Sequence, residues 1–111
     1  MKTILTALIA VLIATPTLAQ TPSYIEAVEY DPNGLQWFVS CGSSTMLSTS
    51  DLGDTWDYFG SAHATHGMEV MGNVLFVIDN NLIRAYDLNT AEQIGTASVT
   101  GASFLNGMGN N

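Results

Sequence analysis

Three polar residues stand at intervals of 40 along the chain, Glu26, His66 and Asn106, and each precedes a small residue, Ala27, Gly67 or Gly107. Carboxylate and amide oxygens are hard donors that suit Ca²⁺ or Mg²⁺. A neutral imidazole favours a borderline metal such as Zn²⁺, or serves as a general base near neutral pH. A structure that gathers the three residues could therefore hold a divalent cation and move a proton. The plainer alternative is a set of wet polar residues that are solvated or bonded to neighbouring structure.

A second cluster of chemistry-bearing residues is Thr49-Ser50-Asp51-Leu52-Gly53-Asp54-Thr55-Trp56. It fits the Asp-box pattern Ser/Thr-x-Asp-x-Gly-x-Thr-Trp found in hairpins of sialidase-like propellers. Asp51 can accept bonds from the turn backbone, Gly53 can take a positive φ, and Trp56 can pack beneath the hairpin, so the motif reads as structural. Asp51, Asp54 and Asp57 lack the alternating ligands and closing Glu of an EF-hand. His63 and His66 have a spacing that two zinc ligands could use, but without further ligands nearby His63 reads as an exposed loop residue. Cys41 is the only cysteine, so no intrachain disulfide can form, and with no basic group near it in sequence it reads as a small buried hydrophobe. There is no Gly-x-Ser-x-Gly elbow, Rossmann fingerprint or phosphate loop to support nucleophilic or nucleotide chemistry.

The elements that must position these groups are short strands separated by turns. The pattern predicts strands at 25–30, 36–41, 46–49, 56–59, 68–71, 74–78, 82–86 and 93–99, with no amphipathic helix. Asp31-Pro32-Asn33-Gly34, Gly72-Asn73 and Asp79-Asn80-Asn81 supply the turn chemistry. The two halves repeat. Glu29 matches Glu69, Trp37-Phe38-Val39 matches Leu75-Phe76-Val77, and Asp51-Leu52 matches Asp87-Leu88, at offsets of 40, 38 and 36. Four strands per period of about 40 residues is the signature of a β-propeller blade. The fold expected is all-β, with two four-stranded blades over 24–111 and the start of a third at Ala102–Met108. A closed propeller needs at least four blades, so the chain reads as the N-terminal part of a longer protein or as a unit that assembles from several copies. In a propeller the first strand of each blade lines the central channel, which would bring Glu26, His66 and Asn106 to one opening. Met46, Met68, Met71 and Met108 are expected to fill gaps between blades.

Residues 1–19 carry Lys2, an apolar or small run from Ile4 to Ala14, and small residues around Ala19, the pattern of a signal peptide. Thr15-Pro16-Thr17 leaves that run well short of the roughly 20 residues of a bilayer span. A linker follows at 20–23, and the expected location is secreted or periplasmic. After cleavage Arg84 is the one strong cation against ten acids. That balance argues against nucleic acid and against anionic membrane surfaces as partners.

Three segments resemble the senescence marker protein/gluconolactonase-like six-bladed propellers. They are Tyr24-Ile25-Glu26-Ala27-Val28-Glu29-Tyr30-Asp31-Pro32, the block from His66 to Asp79, and Phe104-Leu105-Asn106-Gly107. The resemblance implies Glu26 as a ligand of a divalent cation, Ca²⁺ or else Mg²⁺ or Zn²⁺, and Asn106 as a substrate-binding residue. It implies further Asn and Asp ligands beyond residue 111. The usual Pro-Glu is Ile25-Glu26 here, and Asn-Asp-Gly is reduced to Asn106-Gly107. The function implied for the complete protein is a metal-dependent hydrolase of a small lactone or ester, with His66 as the candidate catalytic base. The competing expectation is a noncatalytic exported propeller that binds a protein or carbohydrate partner.

Overall fold

The computed structural model describes residues 20–109; the expected signal peptide lies outside them. Eight strands and no helix are found among the described residues, in two antiparallel four-stranded sheets of simple meander order. The first sheet holds β1 (Ile25–Asp31), β2 (Gln36–Cys41), β3 (Thr45–Thr49) and β4 (Asp57–His63). The second holds β5 (Met68–Met71), β6 (Val74–Asp79), β7 (Leu82–Asp87) and β8 (Gln93–Ser98).

Local chemistry sets the turns. Asp31 accepts a bond from the Asn33 N–H at 3.0 Å and closes the β1–β2 connection, while Gly72 at φ 61° lets β5 reverse into β6 in two residues. One strand departs from the sequence reading. β4 begins at Asp57 and runs on to His63, because the register slips between Thr45 and Leu47 and Gly60 takes φ 55°. The slip absorbs the small residues Gly60 and Ser61, which break the alternation on which the expectation of 56–59 rested.

Because side chains alternate across a strand, each sheet has two faces. Phe38, Met46, Phe59 and Ala62 project from one face of the first sheet. They pack on Met68, Leu75, Val77, Tyr86 and Leu88 of the second, forming one continuous core. Phe38 is fully buried and meets Phe59 edge-on, with ring centroids 4.9 Å apart. Polar ties flank this core. Ser40 Oγ donates to the His66 carbonyl at 2.9 Å, His63 N–H donates to the Tyr86 hydroxyl oxygen at 3.1 Å, and Val70 N–H donates to Glu29 Oε1 at 3.1 Å. β1 and β5 approach one another at this junction. On the far face of the first sheet Val39, Cys41 and Leu47 form a smaller cluster with Trp56. Met46 and Met68 fill the core as expected, but Met71 is half exposed, because at the end of β5 it lies opposite Val74 on the face turned away from the first sheet.

Phe38→Ala should cost about 3–5 kcal/mol, the usual range for emptying a buried aromatic site, and both sheets should melt together. Ile94→Ala on the exposed side of β8 should stay within about 0.5 kcal/mol. Chemical denaturation followed by circular dichroism distinguishes the two.

Candidate functional site

His66 lies in the segment that links β4 to β5, and its backbone is held on three sides. Its carbonyl accepts from Ser40 Oγ, its N–H donates to the Ile78 carbonyl at 3.3 Å, and the next residue, Gly67, accepts from the Ile78 N–H at 2.9 Å. The imidazole meets Phe104 edge-on with centroids 4.5 Å apart. Its Nδ1 is buried and has no hydrogen-bond partner. A buried imidazole nitrogen without a partner is a free acceptor or donor, depending on tautomer.

Asn106 reaches the same place through the backbone. Gly67 N–H donates to the Asn106 carbonyl at 3.0 Å, and Leu105 N–H donates to the Asn80 carbonyl at 2.9 Å. A Cβ on Gly67 would stand 2.9 Å from the Met108 nitrogen, so the close approach of this tail requires glycine. The tail makes no strand, but it treats the second sheet as the β4–β5 linker treats the first. The linker bonds Ala64 N–H to the Ser44 carbonyl at the β2–β3 turn, just as the tail bonds Leu105 N–H to the Asn80 carbonyl at the β6–β7 turn.

Glu26 is the extra residue of a bulge in β1, between Ile25 opposite Cys41 and Ala27 opposite Ser40, and it is exposed. It thus precedes Ala27 as His66 precedes Gly67, at the same end of each sheet. The structure joins the residue after His66 to the Asn106 carbonyl, sets the His66 ring against Phe104, and leaves Glu26 on the surface of the neighbouring sheet. No three His, Cys, Asp or Glu side chains among the described residues converge closely enough to hold a metal ion. The described donors therefore do not by themselves fit the cation that the resemblance implies at Glu26.

The Asp51 hairpin has the geometry its sequence suggests. Thr49 Oγ1 donates to Asp51 Oδ1 at 2.6 Å and itself accepts from the Gly53 N–H at 3.0 Å. Thr55 gives Asp51 both its hydroxyl and its N–H, the latter at 2.9 Å. Gly53 at φ 94° lies over the Trp56 ring. The Thr49 hydroxyl, then the Thr55 hydroxyl and N–H, hold the Asp51 carboxyl down to about 2. Glu29 behaves oppositely. Partial burial pushes its carboxyl up, the Val70 N–H opposes that, and the Glu69 carboxylate adds to the rise.

Sequence reasoning missed two features. One is Glu29, whose carboxylate ties β1 to β5 across the sheet junction. The other is an open apolar groove of about 390 Å³ on the far face of the first sheet, lined by Ile25, Val28, Trp37, Val39, Thr49, Leu52 and Trp56. The alternation of Val28 with Tyr30 and of Trp37 with Val39 and Cys41 was the available signal, since it gives β1 and β2 an apolar face opposite the one that carries Glu29 and Phe38.

The two carboxyls give opposite pH dependences. The folded state holds Asp51 below its ordinary value of 3.8, so its contribution is complete above that value and is lost as pH falls toward about 2. Asp51→Asn should lower the melting temperature at neutral pH and remove this acid-side dependence. The folded state favours protonated Glu29, so ionised Glu29 opposes folding above its raised pKa and that penalty disappears as pH falls through it. Glu29→Gln, which keeps an acceptor for Val70, should raise the melting temperature at neutral pH. Thermal melts from pH 2 to 7 check both signs. No protein-family model matches this sequence, and no curated protein matches it significantly.

Proposed function

We propose that the chain is part of an exported β-propeller whose task is to bind a protein partner through sheet faces. The observation that carries this reading is the open face of the first sheet, where Ile25, Val28, Trp37 and Leu52 are exposed beside the Trp56 ring. A contiguous apolar patch with aromatic anchors has the chemistry of a protein-docking surface. Among its lining residues the Thr49 hydroxyl is buried and bonded to Asp51, which leaves the indole N–H groups of Trp37 and Trp56 as the side-chain donors, whereas a carbohydrate would require more hydrogen-bonding groups. The propeller reading rests on the repeat, on two stacked meanders of four strands, and on the approach of β1 to β5.

A second reading has a specific observation in its favour. The buried, unbonded Nδ1 of His66 is a proton acceptor one residue from the Gly67 N–H that holds the Asn106 carbonyl, which places the two candidate residues in one region of the fold. With the resemblance to gluconolactonase-like propellers, this suits hydrolysis of a small lactone or ester. Glu26 would contribute one carboxylate to a divalent cation whose remaining ligands come from outside the described residues.

Two assays separate the readings. Immobilised chain should retain a protein from the extracellular fluid of its source, and Val28→Asp should abolish retention while His66→Ala leaves it intact. Hydrolysis of gluconolactone and of an aryl ester should show no rate above background with added Ca²⁺, Mg²⁺ or Zn²⁺. A metal-dependent rate lost in His66→Ala would replace the first reading by the second.

A further inference from the structure

The two sheets stack with unlike faces in contact. The pairing registers give each contact residue a counterpart in the other sheet. Phe76 stands opposite Glu69 as Phe38 stands opposite Glu29, and Ile83 stands opposite Ile78 as Met46 stands opposite Ser40. Phe38 and Met46 form the wedge that enters the second sheet. Their counterparts Phe76 and Ile83 point from the second sheet away from the first and are partly buried.

The receiving surface is duplicated as well. Met68, Leu75, Val77 and Leu88 receive the wedge. By the same registers and repeat they correspond to Val28, Trp37, Val39 and Leu52, all of which line the open groove. Leu52 marks the difference between a filled and an unfilled receiving face. Leu88 is 8 % exposed, whereas Leu52, held at φ 60°, is 88 % exposed. Among the described residues the second sheet therefore presents a wedge, and the first a receiving face, that no other sheet covers.

We propose that the occupant of this groove is a second copy of the chain, docking its Phe76 and Ile83 face against Val28, Trp37 and Leu52, above the buried Val39, in the way the two sheets already dock within one copy. The inference rests on the partner-binding reading above and assigns its partner. The polar tie has its counterpart too. Where Glu29 accepts from the Val70 N–H within one copy, Glu69 would accept from the Tyr30 N–H of the next. The two surfaces differ, so the contact is heterologous, and successive copies form a ring if the rotation closes or an open stack if it does not.

Sedimentation velocity of the chain as exported, residues 20–111, over a range of concentrations tests this, the apolar run of residues 4–14 being left out so that it cannot associate on its own account. Mass should rise in steps of one chain. Val28→Glu in the groove and Ile83→Glu on the wedge should each reduce the species to a single chain, with circular dichroism confirming that both remain folded. An equimolar mixture of the two should restore a two-chain species and nothing larger, since only one intact groove and one intact wedge remain to meet. If either variant unfolds, Leu52→Asp and Ala97→Glu, at exposed positions on the same two faces, take their places. A folded wild-type chain that stays single at the highest concentration overturns the proposal. So does association that survives Ile83→Glu, or a mixture that yields no two-chain species. Retention of a foreign protein is judged by the Val28→Asp assay above, so a single-chain wild type that still retains a partner would sink self-docking and leave the binding reading standing.

Discussion

Burial of Phe38, Met46 and Phe59 against Leu75, Val77 and Tyr86 is the contact on which the rest of the structure depends. A single four-stranded meander has too little apolar area to order its own backbone in water, and with one cysteine there is no disulfide to make up the deficit. Stacking supplies the missing burial by using one face of each sheet. The same stacking fixes the position of the β4–β5 linker, because Ser40 and Ile78 grip His66 from the two sides of the junction. The place of His66 is thus a consequence of sheet packing.

The polar groups near this core are not equivalent in what they contribute. Asp51 accepts bonds only from its own hairpin, so it stabilises a turn at the surface and fixes Trp56 against Val39, Cys41 and Leu47. Glu29 reaches across the junction, and its bond to Val70 N–H is opposed by partial desolvation and by Glu69. A carboxylate in that position helps to set the register between β1 and β5 at some cost in stability. Arg84 pairs with Asp79 at 2.7 Å, satisfying within the second sheet the one strong cation of the described residues.

Stacking of unlike faces also governs the reading of function. If the contacting faces were alike, the chain would close on itself and leave two similar outer surfaces. Instead the groove beside Trp37 and the face bearing Phe76 differ as a lock differs from its key. The proposal of binding through sheet faces rests on that asymmetry, whereas the hydrolytic proposal depends on how His66, Asn106 and Glu26 are completed by groups outside the described residues.

The sequence by itself determined the all-β class, the place of all eight strands with every end but that of β4 within one residue, and the Asp51 hairpin, because alternation, turn residues and a motif spanning eight positions are local signals. The repeat of about 40 residues likewise announced two equivalent units and placed Glu26 and His66 at matching positions. Only the tertiary structure decided which face of each sheet is buried. β2 carries Phe38 on one face and Trp37, Val39 and Cys41 on the other, and only the assembled structure puts the second sheet over Phe38 and the Trp56 ring over Val39. Tertiary structure also decided that β4 continues past Gly60, that Met71 faces outward, and that Glu29 bridges the junction. Glu29 and Met71 depend on which faces meet across the stack, and β4 on its slipped pairing with β3, contacts that local alternation does not contain.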